Sequence, residues 1–267
     1  MTLVVSLRIP DGLVLATDSQ STTTGRIGLA ADIKANCPLC KKEIELKNLV
    51  MPPLPIASST YSFAQKLFPF KNKFGVAFFG AGILNKRTIF YHVENIQQKN
   101  KDKEFNNVSD VAEKFKIYFD EQLKKEIPNL ENAPKNFYPL GFQIVGYDNE
   151  EGKTEEVLIG KESKIYEHKG IGCTVSGEKY VVLSLWELKR KDPRRGVIYE
   201  NLSLQDAVDY AEFLIETTSK YQRFASIIPT VAGEIDIALI TPFRNFVWIK
   251  RKKLMETLEN SVNKGVK

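Results

Sequence analysis

The sequence is poor in the residues that carry redox and metal chemistry. Of its 267 residues, three are cysteine and two are histidine. An odd, low cysteine count does not describe the disulfide framework of a small secreted domain. Cys37 and Cys40 stand in CPLC, the spacing of half a zinc site. The other half is missing, because Cys173, His92 and His168 are the only soft ligands left and all lie in core-like segments. A loop with two thiols is the plainer reading, and zinc shared between subunits is the alternative. No metal and no cofactor is assigned.

Long hydrophobic runs are also lacking. No stretch approaches the roughly 18 consecutive apolar residues of a membrane helix, and the N-terminus has no charged region followed by an apolar run. Neither sign of charge dominates: Lys plus Arg is 38, Asp plus Glu is 33, and the excess is +5. The basic clusters are Lys189–Lys191 with Arg194 and Arg195, and Lys250–Lys253. Both fit a solvated rim, and no aromatic-interleaved basic motif points to nucleic acid. The expectation is a soluble, cytoplasmic protein that binds neither membrane nor nucleic acid.

What is present is a chain long enough for a well-buried core, 43% hydrophobic. Residues 3–9 and 13–17 are rich in Val, Leu and Ile and flank Pro10-Asp11-Gly12, which predicts a hairpin. KFGVAFFG (73–80) predicts another strand, and 81–99 a helix. Residues 108–127 predict a second helix, with Val111, Phe115, Phe119 and Leu123 on one face. FQIVGYDNEEGKTEEVLIG predicts two strands around a polar turn, with Ile165–Tyr166 in a third. GYDNEEGKT resembles a phosphate-binding loop, but five residues separate its glycines instead of four and its acids oppose phosphate, so a hairpin turn is preferred. Residues 177–190 predict a third helix. Ser203 opens a fourth, with Asp206 completing an approximate capping box. IDIALI and FVWIK are the last strands, followed by a polar helical tail.

The order is strands, two helices, strands, two helices, strands. Two sheets that each need both faces covered can stack with helix pairs outside. The predicted fold is therefore α+β, a four-layer αββα sandwich in a single domain over 1–267. Residues 20–60, with Pro38, Pro52, Pro53 and Pro55, have little periodicity and are expected to be an inserted loop with its own role.

TLVVSLRIPDGLVLATDS resembles the opening of a mature proteasome β-subunit, a family of N-terminal nucleophile hydrolases. QKLFPF, FQIVGYDNEEGK, VSGEKYVVLSLWE, LSLQDAVDYAEFLI and EIDIALI are similar to later parts of that family, in the same order. The resemblance implies that Thr2, exposed by removal of Met1, is a nucleophile. It implies that Asp18 pairs with a catalytic lysine, Lys66, and that Gly80 donates its amide to an oxyanion. Ser176 is implied to keep a hydroxyl near the amine. Lys34 is the alternative lysine, in a setting that lacks the following strand. Three features depart from the family pattern: the interval from Asp18 to Lys66 is longer by roughly thirty residues, on the insertion reading, Val175 stands before Ser176 in place of glycine, and two supporting positions differ. Pro229 and Ala232 stand where a supporting acid and serine are expected, with Thr230 as a possible substitute.

The implied activity is a threonine-type peptidase acting on unfolded polypeptides or peptides, self-associated into a ring or spiral. No long propeptide is expected before Thr2, so methionine removal is expected to suffice for activation. A non-catalytic subunit of the same fold and an amidase using the same N-terminal logic are the alternatives.

Overall fold

The structure is a computed structural model. It describes residues 2–27, 30–36, 40, 43–50, 54–225 and 227–252. Met1, Cys37 and the expected helical tail beyond residue 252 lie outside the described residues. The chain divides into two compact units, one of residues 1–21 with 62–267 and the other of residues 22–61.

The larger unit holds two five-stranded antiparallel sheets. Strands β1 (Leu3–Ile9) and β2 (Gly12–Asp18) form the expected N-terminal hairpin. Every residue of both strands is buried. Burial on both faces explains why their sequence is nearly continuous in Val, Leu and Ile.

The smaller unit supplies β3 (Ser21–Ile27), β4 (Ala30–Asn36), β5 (Glu43–Val50) and β6 (Leu54–Tyr61). They pair as two two-stranded sheets, β3 with β6 and β4 with β5. The expected loop is therefore corrected to a unit of paired strands. Its signals were STTT and the alternation in EIELKNLV, both suited to extended chain. The prolines hid them, although Pro55 falls within β6 of a two-stranded sheet, where a missing N–H is tolerated.

After β7 (Leu67–Phe70) and β8 (Phe74–Gly80) comes a second correction. The helix expected over 81–99 begins eight residues later. Strands β9 (Ile83–Leu84) and β10 (Arg87–Thr88) form a tight hairpin turned by Asn85 and Lys86, whose φ angles are 50° and 60°. Thr88 then caps α1 (Ile89–Lys99) by accepting a hydrogen bond from the Tyr91 N–H. Helix α2 (Val108–Glu126) buries Val111, Phe115, Phe119 and Leu123, the stripe seen in the sequence.

Strands β11 (Leu140–Asp148) and β12 (Glu151–Ile159) pair around a turn with Asn149 at φ 56°, so GYDNEEGKT is a hairpin. Next come β13 (Lys164–His168) and β14 (Gly172–Gly177). The last was not anticipated, and it moves the start of α3 to Tyr180–Lys191. Helix α4 (Leu204–Phe224) has the reciprocal Ser203–Asp206 capping box. Strands β15 (Ile235–Thr241) and β16 (Asn245–Lys250) complete the fold.

The first sheet runs β14-β1-β2-β15-β16 and the second β13-β12-β11-β8-β7. Three hydrophobic clusters define their faces. One joins α1 and α2 to the second sheet through Phe115, Phe119, Phe142 and Val157. Another joins α3 and α4 to the first sheet through Leu3, Val5, Val182 and Leu214. The third draws on both sheets, with Val4, Leu15 and Ala238 from the first meeting Leu67, Ala77 and Val145 from the second. One end of this third face is polar, and there the candidate site lies.

Candidate active site

Strand register places the polar groups. Val4 faces the second sheet and stands opposite Ser176 on β14 and Thr17 on β2, and Thr17 stands opposite Asp236 on β15. Alternation puts Thr2 on the same face as Val4, one step beyond this transverse row. Thr2 is buried, and its carbonyl accepts a hydrogen bond from the Glu178 N–H at 2.8 Å. Gly177 makes this contact possible. Its φ is 81°, and a Cβ there would fall 1.9 Å from the Thr2 carbonyl oxygen.

Asp18 ends β2 and is fully buried. Its Oδ1 accepts from the Leu3 N–H at 3.2 Å. Its Oδ2 accepts from the Gln20 N–H at 3.1 Å, the Ala232 N–H at 3.3 Å and Lys66 Nζ at 3.1 Å. Lys66 immediately precedes β7, is also buried, and donates a second hydrogen bond to the Gln20 carbonyl. The carboxylate thus ties the lysine to the amide that follows Thr2. Burial pushes the Asp18 carboxyl up, opposed by Lys66 and by the Ala232 and Leu3 amides. Burial pulls the Lys66 ammonium down, opposed by Asp18. Lys34, the alternative lysine, lies in β4 of the smaller unit.

Gly80 ends β8 with φ 94°, and a Cβ there would sit 2.3 Å from the Pro139 carbonyl oxygen. A glycine is required by this close approach, whatever its chemical role. Ser176 is buried and sits between two residues of the second sheet. Gln143 Nε2 donates to its Oγ at 2.7 Å, and that Oγ donates to Glu156 Oε1 at 2.5 Å. Gln143 and Glu156 are themselves direct cross-strand partners.

The segment 229–233 keeps its support in the backbone. Thr230 is committed elsewhere: its N–H donates to Gln222 Oε1 at 2.8 Å, and its hydroxyl accepts from Gln222 Nε2 at 3.3 Å. Ala232 donates its amide to Asp18, and its carbonyl accepts from the Ser19 and Gln20 amides.

Four further residues of this region went unnoticed in the sequence. Gln143 and Glu156 are two; a glutamine inside FQIV was a polar residue on an apolar strand, the one available signal. Asp236 and Lys252 are the others, a second buried ion pair in contact through Nζ and Oδ2. Lys252 belongs to the basic cluster expected on a solvated rim; that expectation is corrected, because Lys252 is 3% exposed. Its charge opposes that of Lys66, while Asp236 favours it.

A cavity of about 520 Å³ opens beside this cluster, lined by Phe79, Gly80, Glu156 and Gly177 among others. Among the described residues no group of three or more His, Cys, Asp or Glu is arranged to hold a metal ion, and no helix is long and apolar enough to cross a membrane. Cys40 is exposed, while its neighbour Cys37 lies outside the described residues.

Comparison with protein-family models gives no match, and no curated protein matches. Among solved structures the chain is similar to the Gly-1 mutant of Anbu from Hyphomicrobium sp. strain MC1, a protein of proteasome-like fold. The TM-score is 0.57 at 13% identity, over 100% of this chain and 95% of that one. Membership of the proteasome β-subunit family, expected from the ordered motifs, is corrected by these findings. No family model recognises the chain, and the identity to a solved neighbour is too low to carry more than architecture. The structure is a mixed α/β chain, with four α-helices and antiparallel sheets among its described residues, and the comparison adds that it shares the fold of Anbu.

Proposed function

We propose that this protein is a threonine-type hydrolase of peptide bonds, with Thr2 as its nucleophile once Met1 is removed. The observation that carries the reading is the buried Asp18–Lys66 pair bonded to the Leu3 amide, directly after Thr2. In this reading the layers form a four-layer αββα sandwich, supported by the three hydrophobic clusters.

A threonine hydroxyl is a poor nucleophile at neutral pH and needs a base. A free α-amine, with a pKa near ~7.7–8.0, is appreciably neutral under physiological conditions. It takes the proton from Thr2 Oγ, directly or through a water, as that oxygen attacks the substrate carbonyl carbon. Lys66 places an ammonium beside the forming alkoxide, and Asp18 holds it there. The Gly80 amide donates to the carbonyl oxygen as it becomes negative. The C–N bond breaks, the leaving amine takes the proton, and water then hydrolyses the ester on Thr2. Ser176, held by Gln143 and Glu156, orders the amine side of the site.

The substrates in this reading are peptides and unfolded polypeptides, met in the cytoplasm by a chain self-associated into a ring or spiral. A second reading, a subunit without activity, is favoured by one observation: Pro229 and Ala232 offer no side-chain donor, and Thr230 is occupied by Gln222. Peptide hydrolysis assays separate the two. Thr2→Ala abolishes turnover and Thr2→Ser retains it if Thr2 is the nucleophile; undiminished hydrolysis by Thr2→Ala refutes the assignment.

A further inference from the structure

The cavity beside Gly80 and Gly177 contains a charge that the hydrolytic mechanism leaves half used. Glu156 Oε1 accepts from Ser176, while Oε2 stands 4.0 Å from His168 Nε2, beyond hydrogen-bond distance. The Glu156 side chain is 17% exposed, and the residue lines the cavity. His168 does not cancel this charge, because burial, aided by Arg8, holds its imidazole below the usual histidine range and Glu156 only partly opposes them. Among the described residues lining it, Lys179 is the one that carries an ammonium, and it is exposed. The walls are Phe79, Tyr138, Leu158 and Tyr166. An acid at depth, aromatic and aliphatic walls and a volume of about 520 Å³ fit a long side chain with a cationic head.

The position ties this cavity to the reaction centre. Gly177 contacts the Thr2 carbonyl, Gly80 is the proposed oxyanion donor, and Phe79 packs within 3.1 Å of the Cβ position of Gly177. In the proposed reaction, with Gly80 as the oxyanion donor, a substrate side chain entering here belongs to a residue near the scissile bond. We infer that the cavity is a subsite for arginine or lysine side chains of the substrate, with Glu156 as the residue that reads their charge. The inference rests on Thr2 being the nucleophile for its link to cleavage, but not for binding.

Two measurements on the full chain test it. The first maps cleavage sites by mass spectrometry in a mixture of unfolded peptides. The inference expects arginine and lysine to be enriched roughly tenfold at one position beside the cleaved bond, and Glu156→Gln to erase that enrichment. The second needs no turnover. Acetyl-arginine amide and its neutral isostere acetyl-citrulline amide are titrated into the protein and followed by NMR. The wild type should bind the arginine compound roughly tenfold more tightly, and Glu156→Gln should bind both alike. Lys179→Ala, a change at an exposed residue, should widen the difference. Cleavage without basic preference, or equal binding of the two amides by the wild type, overturns the subsite. Discrimination in binding with no cleavage of any peptide upholds the subsite and refutes the nucleophile.

Discussion

Removing Lys66 while keeping its volume, as Lys66→Met, strands the Asp18 carboxylate. Both side chains are buried, at 3% and 0% exposure. Breaking a buried ion pair from one side costs about 3–5 kcal/mol, against about 0.2–1 kcal/mol for an exposed pair. The carboxylate would retain the Leu3, Gln20 and Ala232 amides. These three donors place the Lys66→Met cost near the lower end, about 3 kcal/mol. Asp18→Asn leaves Lys66 the Gln20 carbonyl as its one acceptor among the described residues and offers an amide N–H2 to groups that are themselves donors. It belongs at the upper end, about 4–5 kcal/mol. The two losses share one interaction, so the double variant should cost less than their sum by at least ~1.5 kcal/mol. Urea unfolding of the wild type, both single variants and the double variant, at one pH and ionic strength, measures all four values. Additivity within ~0.5 kcal/mol would refute the argument, because it would mean that the pair is solvated or not formed.

Other outcomes follow from the same geometry. Gly177→Ala puts a methyl group into the Thr2 carbonyl at a φ of 81°, so it should lower stability and abolish hydrolysis together; a folded, fully active variant would show that the β14–Thr2 contact is absent. Phe119 packs against Phe142 with ring centroids 4.5 Å apart. Phe119→Ala should cost about 3–5 kcal/mol in urea unfolding, with little effect on the residual peptidase rate constant per folded molecule. Burial pushes the Cys173 thiol up to about 12, which disfavours its thiolate at pH 8. Alkylation of the native protein should therefore mark exposed Cys40 far faster than Cys173, with peptide mapping as the readout.

The sequence disclosed the large periodic elements most clearly. The α2 stripe of Val111, Phe115, Phe119 and Leu123 and the Ser203–Asp206 box survived intact because each depends on residues within a few turns of one helix. The hairpin at 83–88 was missed because Asn85 and Lys86 adopt left-handed angles that neither residue type demands. Strand β14 was missed because Gly172 and Gly177 punctuate it, and its pairing partner β1 lies far away in sequence. In the site, Thr2, Asp18 and Lys66 were picked out through the family resemblance that TLVVSLRIPDGLVLATDS and QKLFPF carry, and the structure brings Asp18 and Lys66 together. Glu156, Gln143, Asp236 and Lys252 were not picked out. Their roles arise from a contact between two sheets, or between a strand and the chain beyond β16, and no local pattern records such a contact. The substitution of Ala232 for a hydroxyl residue suggested lost support, yet its backbone amide still reaches Asp18.

In the proposed reaction Thr2 acts through its own amine and hydroxyl. Treating the purified protein with a peptide β-lactone and recording its intact mass tests this most directly. If Thr2 is the nucleophile, the chain lacks one methionine and gains one lactone mass, with the ester mapped to Thr2 and absent from Thr2→Ala. A chain that retains Met1, or an adduct that persists in Thr2→Ala, would contradict that assignment.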